Sequence, residues 1–340
     1  MKKFLALLFS VILCVACAAG AACAKVPDKS AVRVFTPDGA PALSLARNMV
    51  DGRYGGDEFP VKVVVADTII NYVSGENPQA DICILPVNAA VKALKSGEKY
   101  KMLGTITHGN LYLLKKEGGE DITKANLSSL VGKTVGVINL ANVPGLTFKV
   151  ILSDNSIEYN ELVDGASPSA DKVNLINVAA TAVLPTNAQC DYFVVPEPAA
   201  STKISATGGK LSLAGSLQAL YGGENGYPQA VVVVKTELLN SRKKDILEYM
   251  NEFGENIKWL EDEATTAETI LNKIKDSYYK ADTTPAFTAA DLTKPVIANC
   301  GIKYVKSADC KAEVLAFMQK LNAVSGDAFG APTDNFFFEE

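Results

Sequence analysis

Two stretches of the chain follow one plan: ADICILPVNAA at residues 80–90 and CDYFVVPEPAA at residues 190–200. Asp81, Pro86, Ala89 and Ala90 of the first match Asp191, Pro196, Ala199 and Ala200 of the second. An aspartate, a short apolar strand, a proline and a small-residue helix start make one strand–loop–helix unit, and its return implies that the unit is built twice. A second phrase recurs in the same order. VFTPDGAP (34–41) continues into ALSLA, and VINLANVP (137–144) into GLTFK, each with a valine seven residues before a proline. The sequence therefore predicts two similarly built lobes.

The remainder of the chain fits that frame. Strand-like runs AVRVF, VKVVVA and ADICILP alternate with helical spacings in PALSLARNMV, DTIINYV and VNAAVKALKSG. After the long extended run YKMLGTITHGNLYLLKK the alternation restarts with LSSLVGKTVGVI, VPGLTFKVIL, KVNLINVA and CDYFVVP. Alternation of this kind gives an α/β fold of mixed, mostly parallel sheets covered on both faces. From YPQAVVVVKTELL onward a strand leads into helices, which pack back on the first lobe as a C-terminal tail. The expected division is a leader at 1–24, a first lobe at 27–112 plus 229–340, and a second at 113–228. The chain then crosses twice between lobes, through His108, Gly109 and Asn110 and through Tyr227 and Pro228, and a paired crossover makes a hinge.

Lys2 and Lys3, an apolar run from Phe4 to Val15 and small residues to Ala24 read as a secretory signal. One cut precedes Cys17 and leaves a lipid-anchored cysteine, the reading preferred here; the other follows Ala24. Four cysteines lie beyond the leader. Cys83 and Cys190 suit buried strand positions, and Cys300 and Cys310, ten apart in a loop-like stretch, are candidates for a disulfide. With no CxxC pair and a single histidine, His108, no metal site is expected. Net charge −5 and only four arginines argue against a nucleic-acid partner.

In open α/β sheets ligands bind beyond the carboxyl ends of the strands. Here those ends are TPDGAP, ADT, PVNA, NLANVPG, AATA (which contains Thr181) and PEPA. Pro41 and Pro144 suit the first helical position, and Gly39 and Gly145 allow close approach to the backbone. Neither lysine nor arginine occurs in these loops, whose fixed charges are Asp38, Asp67 and Glu197. Asp81 and Asp191 start their strands at the far end and read as architectural.

TPDGAPALSLA, ADICILPVNAA, GKTVGVINLANVPGLTF, VVPEPA and the closing PTDNFFF resemble the extracytoplasmic solute-binding proteins of ABC importers. The branch is the one for nitrate, sulfonates, taurine and thiamine pyrimidines, and the likeness spans essentially the whole chain after the leader. It implies a type II periplasmic-binding-protein fold in a monomer without a cofactor, and a cleft closing on a small-molecule ligand. It also implies delivery to a membrane permease and, through it, a cytoplasmic ATPase. The resemblance carries the ligand onto Asp38, Gly39, Ala40, Pro41, Val87 and Asn88, and onto Asn142, Val143, Pro144, Gly145 and Glu197.

A carboxylate in a dry cleft opposes an anion and favours an amino-bearing or cationic solute. An aminopyrimidine-like nutrient is therefore expected ahead of a sulfonate, taurine or nitrate, although helix amides hold oxyanions without a cation. His108 is assigned to hinge hydrogen bonding, Trp259 to packing, and Tyr72 and Tyr112 to an aromatic wall. An enzyme of pyrimidine synthesis on the same fold is the alternative of another class. It requires a reactive histidine and a cysteine-rich motif, and the chain carries neither.

Overall fold

The computed structural model describes residues 30–50, 58–163, 166–223, 226–270 and 285–339. The leader with Cys17, and the part of the expected helix TAETILNKIKDSYY after Ile270, lie outside them. In chain order the strands are β1 (Val34–Pro37), β2 (Val61–Val64), β3 (Ile82–Pro86), β4 (Tyr100–His108), β5 (Leu111–Lys116) and β6 (Thr134–Ile138). Then come β7 (Tyr159–Glu161), β8 (Val173–Val178), β9 (Tyr192–Pro196), β10 (Leu211–Ser216), β11 (Pro228–Lys235) and β12 (Ile302–Lys306). The helices are α1 (Ala40–Leu43), α2 (Ala46–Val50), α3 (Val87–Leu94), α4 (Val143–Asp154), α5 (Ala199–Ala206), α6 (Leu217–Tyr221), α7 (Thr236–Glu261), α8 (Lys294–Asn299) and α9 (Ser307–Ser325).

The strands form two six-stranded sheets, ordered β12-β4-β11-β3-β1-β2 and β10-β5-β9-β6-β8-β7. Parallel pairing runs through β3-β1-β2 and through β9-β6-β8-β7, and the other pairs are antiparallel. Each sheet is thus mixed but mostly of one strand direction, as the alternation of strands and helices demands. Successive residues of a strand face opposite sides. Cys83, Leu85, Val231 and Val233 therefore join one core, and Ile82, Ile84, Val232 and Val234 another on the opposite face. The first of these cores continues without a break into the second sheet through Leu113, Val135, Leu175 and Val194.

The repeated phrases occupy equivalent places, and the structure supplies the reason for the repeated aspartate. The Asp81 Oδ2 accepts the Arg33 amide at 2.9 Å while the Asp81 amide donates to the Arg33 carbonyl at 2.9 Å. In the second sheet Asp191 Oδ2 accepts the Thr134 amide at 2.8 Å and returns its own amide to the Thr134 carbonyl at 2.8 Å. Each aspartate thereby fixes the register of a strand against its neighbour at the end opposite the expected ligand loops. Pairing also corrects the expected alignment of the other phrase. Val34 stands opposite Ile82, and Val135 opposite Tyr192, so Val34 corresponds to Val135 rather than Val137. The prolines still correspond because the loop from β6 to α4 is longer than the loop from β1 to α1, and both fall at the second helical position, one later than expected.

Leu111 and Tyr112, expected at the end of the first lobe, pair with Pro196 and Val195 and so belong to the second sheet. Pro228, expected in the second lobe, pairs with His108 and opens β11 in the first. The chain thus passes between sheets at 109–110 and again between Tyr221 and Pro228. The expected Cys300–Cys310 disulfide does not form. The segment between them is not a loop but β12 and the start of α9, and the two thiols are free and buried in cores on opposite faces of the first sheet.

Candidate functional site

The seam between the sheets is built around the two chain passages. The Gly109 amide donates to the Tyr227 carbonyl at 3.0 Å, joining one passage to the other, and φ of 43° at Gly109 lies in the left-handed region that glycine adopts freely. Gln218 reinforces the joint, its Oε1 accepting the Leu111 amide at 3.2 Å and the Tyr227 hydroxyl at 3.3 Å. The Asn110 amide donates to Gln229 Oε1 at 3.1 Å. His108 donates its amide to the Gly301 carbonyl at 2.7 Å, and its Nε2 lies 3.0 Å from Thr105 Oγ1. Burial, aided by the nearby Lys303 charge, pushes the His108 imidazole down to about 4, so it is neutral at ordinary pH. His108 is thus turned toward β4 and β12.

At the carboxyl end of β9, Glu197 is only 5 % exposed. Its backbone amide donates to the Asn110 carbonyl at 2.8 Å, and Asn110 Nδ2 donates back to the Glu197 carbonyl at 3.3 Å. That second bond fixes the orientation of the Asn110 amide and leaves its Oδ1 a buried acceptor without a hydrogen-bond partner. The Glu197 carboxylate turns to its own helix: Oε2 accepts the Ser201 amide at 3.0 Å and Oε1 the Ser201 hydroxyl at 2.7 Å. Desolvation nevertheless raises its pKa, with the Ser201 bonds only partly offsetting it. No lysine or arginine among the described residues pairs with it.

Two groups share its surroundings. The Tyr112 hydroxyl, pushed up to about 12 by burial and by the Glu197 charge, donates across the seam to the Asn299 carbonyl at 3.3 Å. The Cys300 thiol, fully buried on the first-sheet side, is likewise raised by burial and by Glu197. The chain segment 289–291 of the first side packs against α5 of the second.

The other expected residues divide. Val87 and Asn88 are buried at the first turn of α3, which has no side-chain cap, and Asn88 Oδ1 is a further unpaired buried acceptor. Asp38 is committed locally, its Oδ1 accepting the Gly39 amide at 2.8 Å and its Oδ2 the Ala286 amide at 2.7 Å. Gly39, with φ of 93°, precedes buried Ala40 and half-buried Pro41. Val143 is buried, Pro144 half-buried and Asn142 exposed at the uncapped start of α4.

Gly145 has a structural cause that differs from the expected one: a Cβ there meets the Leu140 carbonyl oxygen at 2.0 Å, so its bareness serves the β6–α4 loop. Thr181 is exposed, and no described contact joins it or Asn142 to Glu197. Half-buried Tyr72 stacks its ring on core residue Phe35 at 4.4 Å. Trp259 packs against the core, as expected.

Sequence reasoning missed Ser201, Gln218, Asn299 and Gly301. Of these only Ser201 carries a readable signal, four residues after Glu197 on a helix start. Among the described residues no cluster of three metal-ligating side chains occurs. A groove of about 460 Å³ lined by Lys101, Thr236, Lys243, Asn335 and Phe338 lies by the start of β4 and the end of β11, at the end opposite the expected ligand loops.

No protein-family model matches the chain, and no curated protein matches it in sequence. Solved structures do match. An ABC transporter protein from Parabacteroides distasonis superposes with a TM-score of 0.67 at 17 % identity, covering 92 % of this chain and 99 % of that one. The fold is that of the type II periplasmic binding proteins. The periplasmic aliphatic sulphonate-binding protein SsuA from Escherichia coli gives a TM-score of 0.62 at 13 % identity, covering 91 % and 92 % of the two chains. The periplasmic nitrate-binding protein NrtA from Synechocystis PCC 6803 gives 0.59 at 13 % identity, covering 91 % of this chain and 85 % of its own. The second and third of these neighbours are binding proteins.

Proposed function

We propose that the chain is the extracytoplasmic substrate-binding component of an ABC importer. It captures a small nitrogen-containing nutrient of aminopyrimidine type between its lobes and delivers it to a membrane permease. The lobes are the parts built on the two sheets, and they close about the passages at 109–110 and 222–227. The leader sends a monomer out of the cytoplasm, anchored through Cys17. The whole-chain likeness to periplasmic binding proteins supports the transport role.

One observation carries the ligand class: Glu197 is a buried carboxylate at the seam that no described lysine or arginine pairs with, and the Asn110 side chain that bonds its carbonyl leaves Oδ1 an unpaired acceptor. An amino group donating to these atoms restores the hydrogen bonds and charge balance that burial removed. A second reading has its own support. The first turns of α3 and α4 lack side-chain caps, and free helix amides hold an oxyanion such as a sulfonate or nitrate.

A thermal-shift panel on the chain from Lys25 tests both. Aminopyrimidines and thiamine precursors are set against taurine, other sulfonates, nitrate and bicarbonate. A solute at one hundred times its Kd adds about 2.7 kcal/mol. A shift with an aminopyrimidine alone supports the acidic-site reading, and a shift with an oxyanion alone replaces it by the amide reading. A solute that is consumed rather than bound removes the transport role in favour of an enzyme.

A further inference from the structure

Helix α9 lies on one face of the first sheet, against β4, β11, β12 and α3, and buries Val314, Phe317, Met318 and Leu321 there. The same helix packs along α4, which belongs to the second sheet. Between the two supports it touches both banks of the second chain passage. The Phe317 ring stacks on Tyr227 at 5.5 Å and 23°, and meets Tyr221 edge-on at 5.9 Å and 85°. Tyr221 ends α6 on the second-sheet side, and Tyr227 leads into β11 on the first.

One turn further along α9, Lys320 Nζ stands 2.6 Å from Asp154 Oδ2, at the last residue of α4, and 5.0 Å over the Tyr221 ring. The amino end of α4 carries the expected ligand loop, so this ion pair lies at the end of α4 remote from it. It is formed together with the seam contacts, the Tyr112 hydroxyl to Asn299 and α5 against 289–291.

Packed helices slide past one another only by leaving their interdigitated positions. A rotation about the two passages moves α4 along α9, and so loses the ion pair and the edge contact of Tyr221. We propose that Phe317 and Lys320 are positioning residues of an interlobe strut, which holds the second lobe in the arrangement that forms the Tyr112–Asn299 bond, with a strength that salt reduces. The proposal rests on reading the two sheets as lobes that open and close, but not on the identity of any solute.

The test uses no ligand. On the chain from Lys25, spin labels on cysteines introduced at exposed Lys210 and Asn240, one on each side, report the interlobe distance distribution by pulsed electron resonance; the native thiols there, Cys83, Cys190, Cys300 and Cys310, are buried. Removing an exposed ion pair changes a two-state ratio by about two- to fivefold. Lys320→Gln should shift the population toward longer distances by that factor. Raising salt from low to half-molar should shift the wild type the same way and leave Lys320→Gln unmoved, because screening acts on the pair. Exchanging the charges, Lys320→Asp with Asp154→Lys, should restore the wild-type distribution.

Phe317→Leu, which keeps the core apolar but loses the ring contacts, should open the lobes further. Should that buried change unfold the chain, Lys320→Gln alone decides. Superimposable distributions for wild type and Lys320→Gln at both salt levels overturn the strut. A solute panel without any shift would instead remove the binding reading and leave these distance measurements standing.

Discussion

Glu197→Gln separates what Glu197 does for folding from what it does for a ligand. The carboxylate is 5 % exposed and takes two hydrogen bonds from Ser201. A glutamine keeps both: its Oε1 accepts the Ser201 amide, and its Nε2 donates to the Ser201 hydroxyl, which accepts as readily as it donates. What the substitution removes is a buried charge without a counter-ion among the described residues. The raised pKa means that the folded chain holds its proton more tightly than the unfolded one. Wild-type stability should therefore fall as pH climbs from the ordinary value of 4.5 through the raised one, and stay lower above it.

Glu197→Gln should lack that step and, at neutral pH, be more stable by about 1 kcal/mol, or roughly 2 °C in Tm for a chain of this length. The ligand should respond in the opposite direction. A hydrogen bond to a charged group is worth about 1.5–3 kcal/mol, so Kd for an aminopyrimidine should rise about 10- to 100-fold. Thermal melts from pH 4 to 8 and titration calorimetry read the two effects. A variant less stable than wild type at neutral pH, or one that binds an aminopyrimidine unchanged, refutes the uncompensated-charge argument.

Two further substitutions address the frame. Gly145→Ala forces a Cβ to 2.0 Å from the Leu140 carbonyl, a backbone atom that cannot swing aside, and should lower stability by about 2–4 kcal/mol in guanidinium unfolding. A cost below 0.5 kcal/mol would show that the β6–α4 loop yields freely. Burial pushes the Asp81 carboxyl up, but hydrogen bonds from Arg33 and Lys235 outweigh it and hold it below the usual range. Its contribution is present above the unfolded value and lost as pH falls through the folded one. Asp81→Asn should therefore flatten the acid limb of the stability curve and cost about 1–3 kcal/mol, more than Asp191→Asn, for which the described partner is the single Thr134 amide. Equal losses would mean that the Arg33 and Lys235 pairs add nothing.

The architecture was legible because duplication leaves a mark in sequence that chance does not. ADICILP and CDYFVVP each encode a strand buried on both sides, so their apolar runs are continuous, and the aspartate before each is kept by a reciprocal backbone clamp. The strands that escaped notice are edges. LSLAGS and IKYVK form β10 and β12, which have only one neighbour each and so need neither length nor uniform apolarity. Mistaking IKYVK for loop is also what made a Cys300–Cys310 bridge look feasible, since a strand between them sends the two thiols to opposite faces.

The site was legible only in part, and the reason lies in where its partners come from. Glu197 announces itself as one of three carboxylates, with Asp38 and Asp67, in a loop set without a cation. What surrounds it is distant in the chain: Asn110 and Tyr112 come beside it when β5 pairs with β9, and Cys300 reaches it only when the first sheet is in place. Gly145 shows the converse error. A glycine beside an expected ligand loop reads as room for a ligand, yet the space is taken by the Leu140 carbonyl. A charge excluded from a set of loops is a property of composition and survives folding, whereas a vacancy beside a glycine is a property of packing and depends on which neighbour arrives there. The proposed ligand class is therefore better argued from Glu197 and Asn110 than from any glycine in the expected ligand loops.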